Sequence, residues 1–236
     1  MYERIDSPSG IYSNKKFEWK SDFCHIGLVR FDIHIHTTIS PCSALLIGDI
    51  LAHARSRGLD GVCITDHNSM EVCRHIREGV QEDGLVVIVG MEYDTPEGDF
   101  LVFGPMEGIR PGMSASNLLE NVRSTDGAAV AAHPFRNGRS TAGHLFSSGL
   151  VGVIEAVNGR NTPEENALVN GLLEHYPLIR CGGSDAHALD ELGCAATRFL
   201  VPVWSRMDLI HALSRGLCSP EEGVGGQAPA PCGYQP

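Results

Sequence analysis

The sequence predicts an α/β chain folded as a distorted β/α barrel of about seven strands, one of them antiparallel. Three observations predict it. From Leu28 onward, short apolar runs alternate with stretches of helical periodicity. Polar residues of one chemical kind fall at the C-terminal ends of those runs: His34 and His36, Asp66 and His67, Glu92, His133, Asp185 and His187. A parallel barrel gathers its active site at that end of its strands. The length, 236 residues, suits one barrel-sized domain with its own core but is short for eight full β/α units.

The elements follow in order. Residues 1–27 are polar and irregular, broken by Ser7-Pro8-Ser9-Gly10, and read as an N-terminal extension. In the first strand Phe31, Ile33 and Ile35 alternate with Asp32, His34 and His36. A period of two points both His to one face, where they can hold one metal ion; a strand with two solvated His has the same pattern. Leu46, Ile50 and Ala54 then repeat every four residues, predicting a helix over 44–57 with Ser43 as cap and Gly58 as stop. A strand over 61–65 runs into Asp66-His67, and a short helix over 69–78 follows. A strand over 85–91 runs into Glu92. Thr95-Pro96-Glu97-Gly98 is a turn, so 99–104 returns as a hairpin partner with Asp99 beside Glu92.

A helix over about 114–124 precedes a strand over 128–132 that ends at His133-Pro134. The strand 151–157 carries Glu155, which is read as pointing toward the barrel interior. A helix over 163–175 opens with Pro163-Glu164-Glu165, a favourable first turn. The strand 178–181 leads to Gly182-Gly183-Ser184-Asp185-Ala186-His187, and a last helix spans 206–215. From Ser219 to Pro236 the chain is rich in Gly and Pro and reads as a flexible tail, which leaves 28–218 as the folded domain.

Composition narrows the function classes. No apolar run of about 18 residues predicts a transmembrane helix, and the N-terminus lacks a signal-peptide core, so the expected compartment is the cytoplasm. The 8 Cys are scattered without a C-x-x-C pair, which argues against a zinc ribbon or a disulfide framework. The formal charge of −11 opposes an extended nucleic-acid groove or an anionic membrane surface. Bound divalent cations would offset part of it and leave a phosphorylated substrate possible.

Taken together, H-x-H-T at 34–37, T-D-H at 65–67, Glu92 after an apolar strand, A-H-P at 132–134 and S-D-A-H at 184–187 resemble the PHP family, the polymerase and histidinol phosphatase metal hydrolases. The resemblance runs from about residue 31 to 216. It implies a seven-stranded, TIM-like barrel that binds two to three divalent ions, Zn, Mn or Fe, and hydrolyses phosphoesters by a metal-bound hydroxide. By position it implies that His34, His36, Glu92 and Asp185 hold a first ion. Glu92 would bridge to a second, also held by His133, and His67 and His187 would hold a third. Asp99 stands where many relatives carry His, and a carboxylate there favours a harder ion such as Mn. Cys42 is either a further ligand of the third ion or a small buried residue. Asp66, beside a ligand His, would orient an imidazole. Asp185, Glu92 and His187 are the expected catalytic residues. Arg136 and Arg160 either bind substrate phosphate or lie on the surface.

The implied partner is a small phosphorylated metabolite, a nucleotide or a short RNA end. Two other readings share parts of the pattern. Amidohydrolases also begin with H-x-H and end with Asp, and usually add a mid-barrel Lys or Glu bridge and two further His; this chain has no Lys at a predicted strand end, and T-D-H and D-x-H favour the PHP reading. A non-catalytic PHP scaffold would be marked by degraded ligands.

Overall fold

A computed structural model of the protein describes residues 28–223; the predicted extension over 1–27 and the part of the predicted tail beyond 223 lie outside the described residues. In chain order the elements are β1 (Val29–Ile35), α1 (Ile47–His53), β2 (Gly61–Ile64), β3 (Gly79–Val80), β4 (Val86–Val89), β5 (Met91–Thr95), β6 (Gly98–Phe103), α2 (Ala115–Ser124), β7 (Ala128–Ala131), α3 (Gly143–Ser147), β8 (Val153–Asn158), α4 (Pro163–Leu173), β9 (Ile179–Gly183), β10 (Ala195–Phe199), α5 (Arg206–Ser214) and β11 (Cys218–Glu222).

The strands form two sheets and not the expected seven-stranded barrel. One has six strands in the order β11-β10-β1-β2-β4-β3, the other five in the order β5-β6-β7-β8-β9. The physical reason lies at the edge of β1. There Val29, Arg30 and Phe31 pair antiparallel with Phe199, Arg198 and Thr197 of β10. This pairing takes the hydrogen-bonding edge that a closed barrel would offer to β9. The sheets are linked among the described residues by two isolated bridges, Ile35 with Ala186 and His67 with Glu92. Both bridges sit among the polar strand ends, so the candidate site lies on the junction of two sheets.

Strand β1 is not a uniform two-residue repeat. Its pairing with β2 slips between Asp32 and Ile35, opposite Val62 and Ile64, which is the signature of a bulge. Phe31 and Ile33 therefore pack in one apolar cluster with Phe199, Leu209 and Leu213. Ile35 packs in the other, with Ile64, Leu118 and Tyr93.

Several local expectations change. Helix α1 is shorter than 44–57, followed by a 3-10 turn that Gly58 ends at φ 73°. Ser43 does not cap it: its hydroxyl donates to the backbone oxygens of His36 and His187. The helix expected over 69–78 is a 3-10 turn at Glu71–Arg74. Helix α3 and strands β3, β10 and β11 were not legible in the local pattern. Residues 219–222, assigned to the tail, pair with β10, and Glu221 accepts from both Arg30 and Arg198. Helices α2 and α4 begin as their sequences dictate. Ser114 caps the first, and Thr162 with Glu165 forms a capping box on the second, with Pro163 at its start.

Candidate metal centre

The bulged end of β1 brings Nε2 of His34 and Nε2 of His36 to 3.1 Å from each other. Their outer nitrogens are engaged elsewhere. Nδ1 of His34 lies 3.0 Å from Glu155 Oε1, and Nδ1 of His36 lies 3.2 Å from Ser40 Oγ. Such outward partners fix the ring orientation and turn Nε2 toward the centre. Glu92 Oε2 lies 3.4 Å from the His34 nitrogen and 3.2 Å from that of His36. Asp185 Oδ1 lies 3.4 and 3.3 Å from the same two atoms. All four side chains are buried, and their ligand atoms fall within one ion's reach.

Three further groups share members with this one: Glu92, Asp99 and His133; His36, His67 and His187; and His67, Glu92 and Asp94. In the first, His133 Nε2 is 2.8 Å from Glu92 Oε1 and 3.9 Å from Asp99 Oδ2. Asp99 is not directly beside Glu92. The hairpin register places it opposite Asp94, with Leu101 opposite Glu92, because Thr95 pairs with Gly98 across a two-residue turn. Asp99 reaches the group diagonally, as residues offset by two positions on one face can. Asp94 carries no motif of its own, but its place two residues after Glu92 puts it on the same face of β5. Cys42 is exposed and stands outside these groups. Burial of its sulfur, with Glu92 and Asp185 nearby, pushes its thiol pKa up.

A second ring of groups holds the first. Glu155 is fully buried and faces inward, on the face it shares with Val153 and opposite to Ile154 and Ala156; besides His34, it accepts from the backbone N–H of His133 and from Asn158 Nδ2, each at 2.8 Å. Among the described residues Asp66 makes no hydrogen bond to an imidazole. It accepts from Thr37 N at 2.7 Å, Thr37 Oγ1 at 2.7 Å and Ser40 Oγ at 2.6 Å. Ser40, which belongs to no motif, passes that constraint on to His36 and accepts from the backbone N–H of His67 at 3.0 Å. Asp32 leaves the centre altogether and accepts from the backbone N–H groups of Ser184 and Gly193, each at 2.9 Å. Burial pushes its carboxyl up to about 6.

Three arginines reach the rim. Arg136 donates through Nε to Asn161 at 3.0 Å, through Nη1 to Asp185 Oδ2 at 2.7 Å and through Nη2 to Asn158 at 2.7 Å. All three of its nitrogens are thus spent on positioning the site. Arg160 Nη1 lies 2.9 Å from Nδ1 of His187. Arg139, which no local pattern singles out, donates to Asp99 Oδ2 at 2.6 Å and to Asp94 Oδ1 at 2.9 Å.

The backbone is strained at two members. His133 has φ 29° and Asp185 has φ 58°, conformations that cost non-glycine residues roughly 1–3 kcal/mol each. The strain at Asp185 is held by its N–H donating to His34 O at 2.7 Å and by His36 N–H donating to Ala186 O at 2.9 Å. Burial alone would push the carboxyls of Glu92 and Asp185 up. The imidazoles reverse this and hold both well below the carboxylate range: His34, His133 and His36 around Glu92, His34 and His36 with Arg136 around Asp185. Burial lowers His34, yet Asp185, Glu155 and Glu92 outweigh it and raise the pKa well above its ordinary value. His187 goes the other way, pushed down to about 4 by burial and His36. The centre therefore demands positive charge between its carboxylates. A proton on His34 supplies one unit; a divalent ion among these oxygen and nitrogen donors would supply two, and the donor set fits a borderline ion.

The model of the PHP domain matches residues 32–155, and that of a PHP-associated region matches 163–218. An uncharacterized protein of Methanocaldococcus jannaschii is 29% identical over 162 residues, 63% of this chain and 94% of that one. The fold is similar to that of PsfC from Pseudomonas syringae, with a TM-score of 0.69 and 22% identity over 86% of this chain and 94% of that one. It is also similar to a two-domain protein from Bacteroides vulgatus containing a predicted PHP-like metal-dependent phosphoesterase (TM-score 0.61, 15% identity, 84% of this chain and 65% of that one). A lesion-specific endonuclease of Pyrococcus furiosus gives a TM-score of 0.61 at 18% identity over 82% of this chain and 58% of that one. Among the described residues, no helix is long and apolar enough to cross a membrane.

Proposed function

Because this chain belongs to the PHP domain family, we propose that it is a hydrolase that cleaves phosphoester bonds with two to three divalent ions held by the clustered side chains. His34, His36, Glu92 and Asp185 would hold the first ion. Glu92, His133 and Asp99 would hold the second, and His67 and His187, with His36 or Asp94 nearby, the third. The observation that carries the reading is the pair of imidazole Nε2 atoms 3.1 Å apart between two buried carboxylates. Such a focus of donors is costly to bury without a cation to bind them.

Ions bound there supply Lewis acidity toward a phosphoryl oxygen and acidify water at neutral pH. The protein's own groups do the rest. Glu155 and Ser40 hold the rings of His34 and His36, and Arg136 fixes the second oxygen of Asp185. Arg160, at the rim beside His187, is a candidate to pair with a substrate phosphate. The substrate class is a small phosphorylated metabolite, a nucleotide or a short RNA end. The net charge of −11 weighs against a long polyanion.

The test is elemental analysis of the purified protein with a screen of phosphomonoesters, nucleotides and oligonucleotides, before and after chelation. More than one equivalent of transition metal, with activity lost on chelation and restored by Mn or Zn, is expected. Metal-free protein with unchanged turnover in chelator would overturn the proposal.

A further inference from the structure

The loop after β7 carries two arginines three residues apart, and each is fastened to a different end of the centre. Arg136 holds Asp185, and Arg139 holds Asp99. The loop is shaped by its own backbone: Arg136 N–H donates to His133 O and Arg139 N–H to Arg136 O, with Gly138 at φ 79° between. The two contacts are unlike in kind. Asp185 keeps Oδ1 for the imidazoles while Arg136 takes Oδ2. At Asp99 the guanidinium takes Oδ2, the oxygen that faces His133. Arg139 also spans to Asp94, so one positive charge bridges two carboxylates that stand directly opposite each other across the hairpin. Left alone, like charges so placed repel.

We propose that Arg139 is a built-in counter-cation of the second site, which competes with a divalent ion for Asp99 and makes that site the weaker, later-filled one. The inference rests on the reading of Glu92, Asp99 and His133 as metal ligands. Its geometry favours exchange over a permanent staple. The Asp99 side chain is 3% exposed, whereas that of Arg139 is 45% exposed, so the guanidinium reaches in from solvent and can leave without opening the core. An ion entering between Glu92 and His133 takes over the charge of Asp99. Arg139 is then released at the rim, still able to pair with Asp94 or with an incoming phosphoryl group.

The sign of one substitution separates competition from simple support. Calorimetric titration of the chelator-treated, full-length chain with Mn²⁺ should resolve a tight event and a weaker one. Arg139→Gln removes the competing charge and should tighten the weaker event about ten- to a hundredfold, the range of one charge-assisted contact, without moving the tight one. Arg139→Lys keeps the charge and should stay near wild type. Adding Asp99→Asn to Arg139→Gln should cancel the gain. A hairpin staple predicts the opposite: loosening of β5 and β6 and a weaker second event in Arg139→Gln. A second event unchanged or weakened beside an intact first event overturns the role of Arg139 alone. No Mn²⁺ uptake by the wild-type chain overturns the metal reading itself, and this inference with it.

Discussion

Glu155 and His34 form a fully buried pair, Oε1 to Nδ1 at 3.0 Å, on strands β8 and β1 of different sheets. The other oxygen of Glu155 holds the backbone N–H of His133. One carboxylate thus fixes members of two candidate ion sites across the junction. Its removal should be felt as metal loss. Glu155→Ala leaves His34 Nδ1 and the His133 N–H without their partner and should weaken Mn²⁺ binding about ten- to a hundredfold. Glu155→Gln, which keeps an acceptor and the volume, should lose less. Calorimetric titration of both variants checks the order; equal affinity in wild type and Glu155→Ala would remove this residue from the support of the site.

Gly183 offers a steric test of the same pair. A Cβ there would stand 2.6 Å from His34 Cβ and 2.8 Å from Glu155 Oε1. Gly183→Ala should therefore cost about 1–3 kcal/mol of stability and also weaken metal binding. Gly61→Ala is the contrast, since its Cβ would meet the ring of Phe31 at 2.2 Å in the apolar cluster away from the centre. It should lower the melting temperature while the folded protein keeps its metal affinity. Thermal melts with metal titrations of both variants would show whether the two effects separate.

Asp185 and Arg136 should behave as a unit. Asp185→Ala should abolish turnover with the fold intact by circular dichroism, since the loss opens a coordination position. Arg136→Ala removes the donor to Asp185 Oδ2, a contact of roughly 1.5–3 kcal/mol. Its effect should appear as reduced metal affinity together with reduced kcat. A pure rise in KM, with metal content unchanged, would instead make Arg136 a direct substrate contact.

Arg206 provides a control outside the candidate metal groups. From the start of α5 it donates to Glu78 at 2.6 and 3.1 Å, to Gly104 O at 2.7 Å and to Glu107 at 2.9 Å. It fastens that helix to two segments distant in sequence. Arg206→Ala should destabilise the protein by about 1–3 kcal/mol in chemical denaturation and leave Mn²⁺ affinity unchanged. A shift in metal affinity would mean that the two sheets are coupled through this contact.

By itself the sequence determined which strand ends carry the clustered His, Glu and Asp side chains, Asp94 excepted. Strands carry their periodicity locally, so His34 and His36 fall on one face and Glu92, His133 and Asp185 at strand ends on local pattern alone. Those choices depend on alternation and on residue chemistry within a few positions. The tertiary structure decided what closes around them. Strand β10 competes for the edge of β1 from more than 160 residues away, and that pairing, invisible to local pattern, divides the strands into two sheets. The same holds for Arg139 on Asp99, Ser40 between Asp66 and His36, and the hairpin register that sets Asp99 against Asp94. Each depends on which of several available partners wins a buried hydrogen bond, and that contest is settled by the packing of distant segments, where an unpaired polar group costs the most.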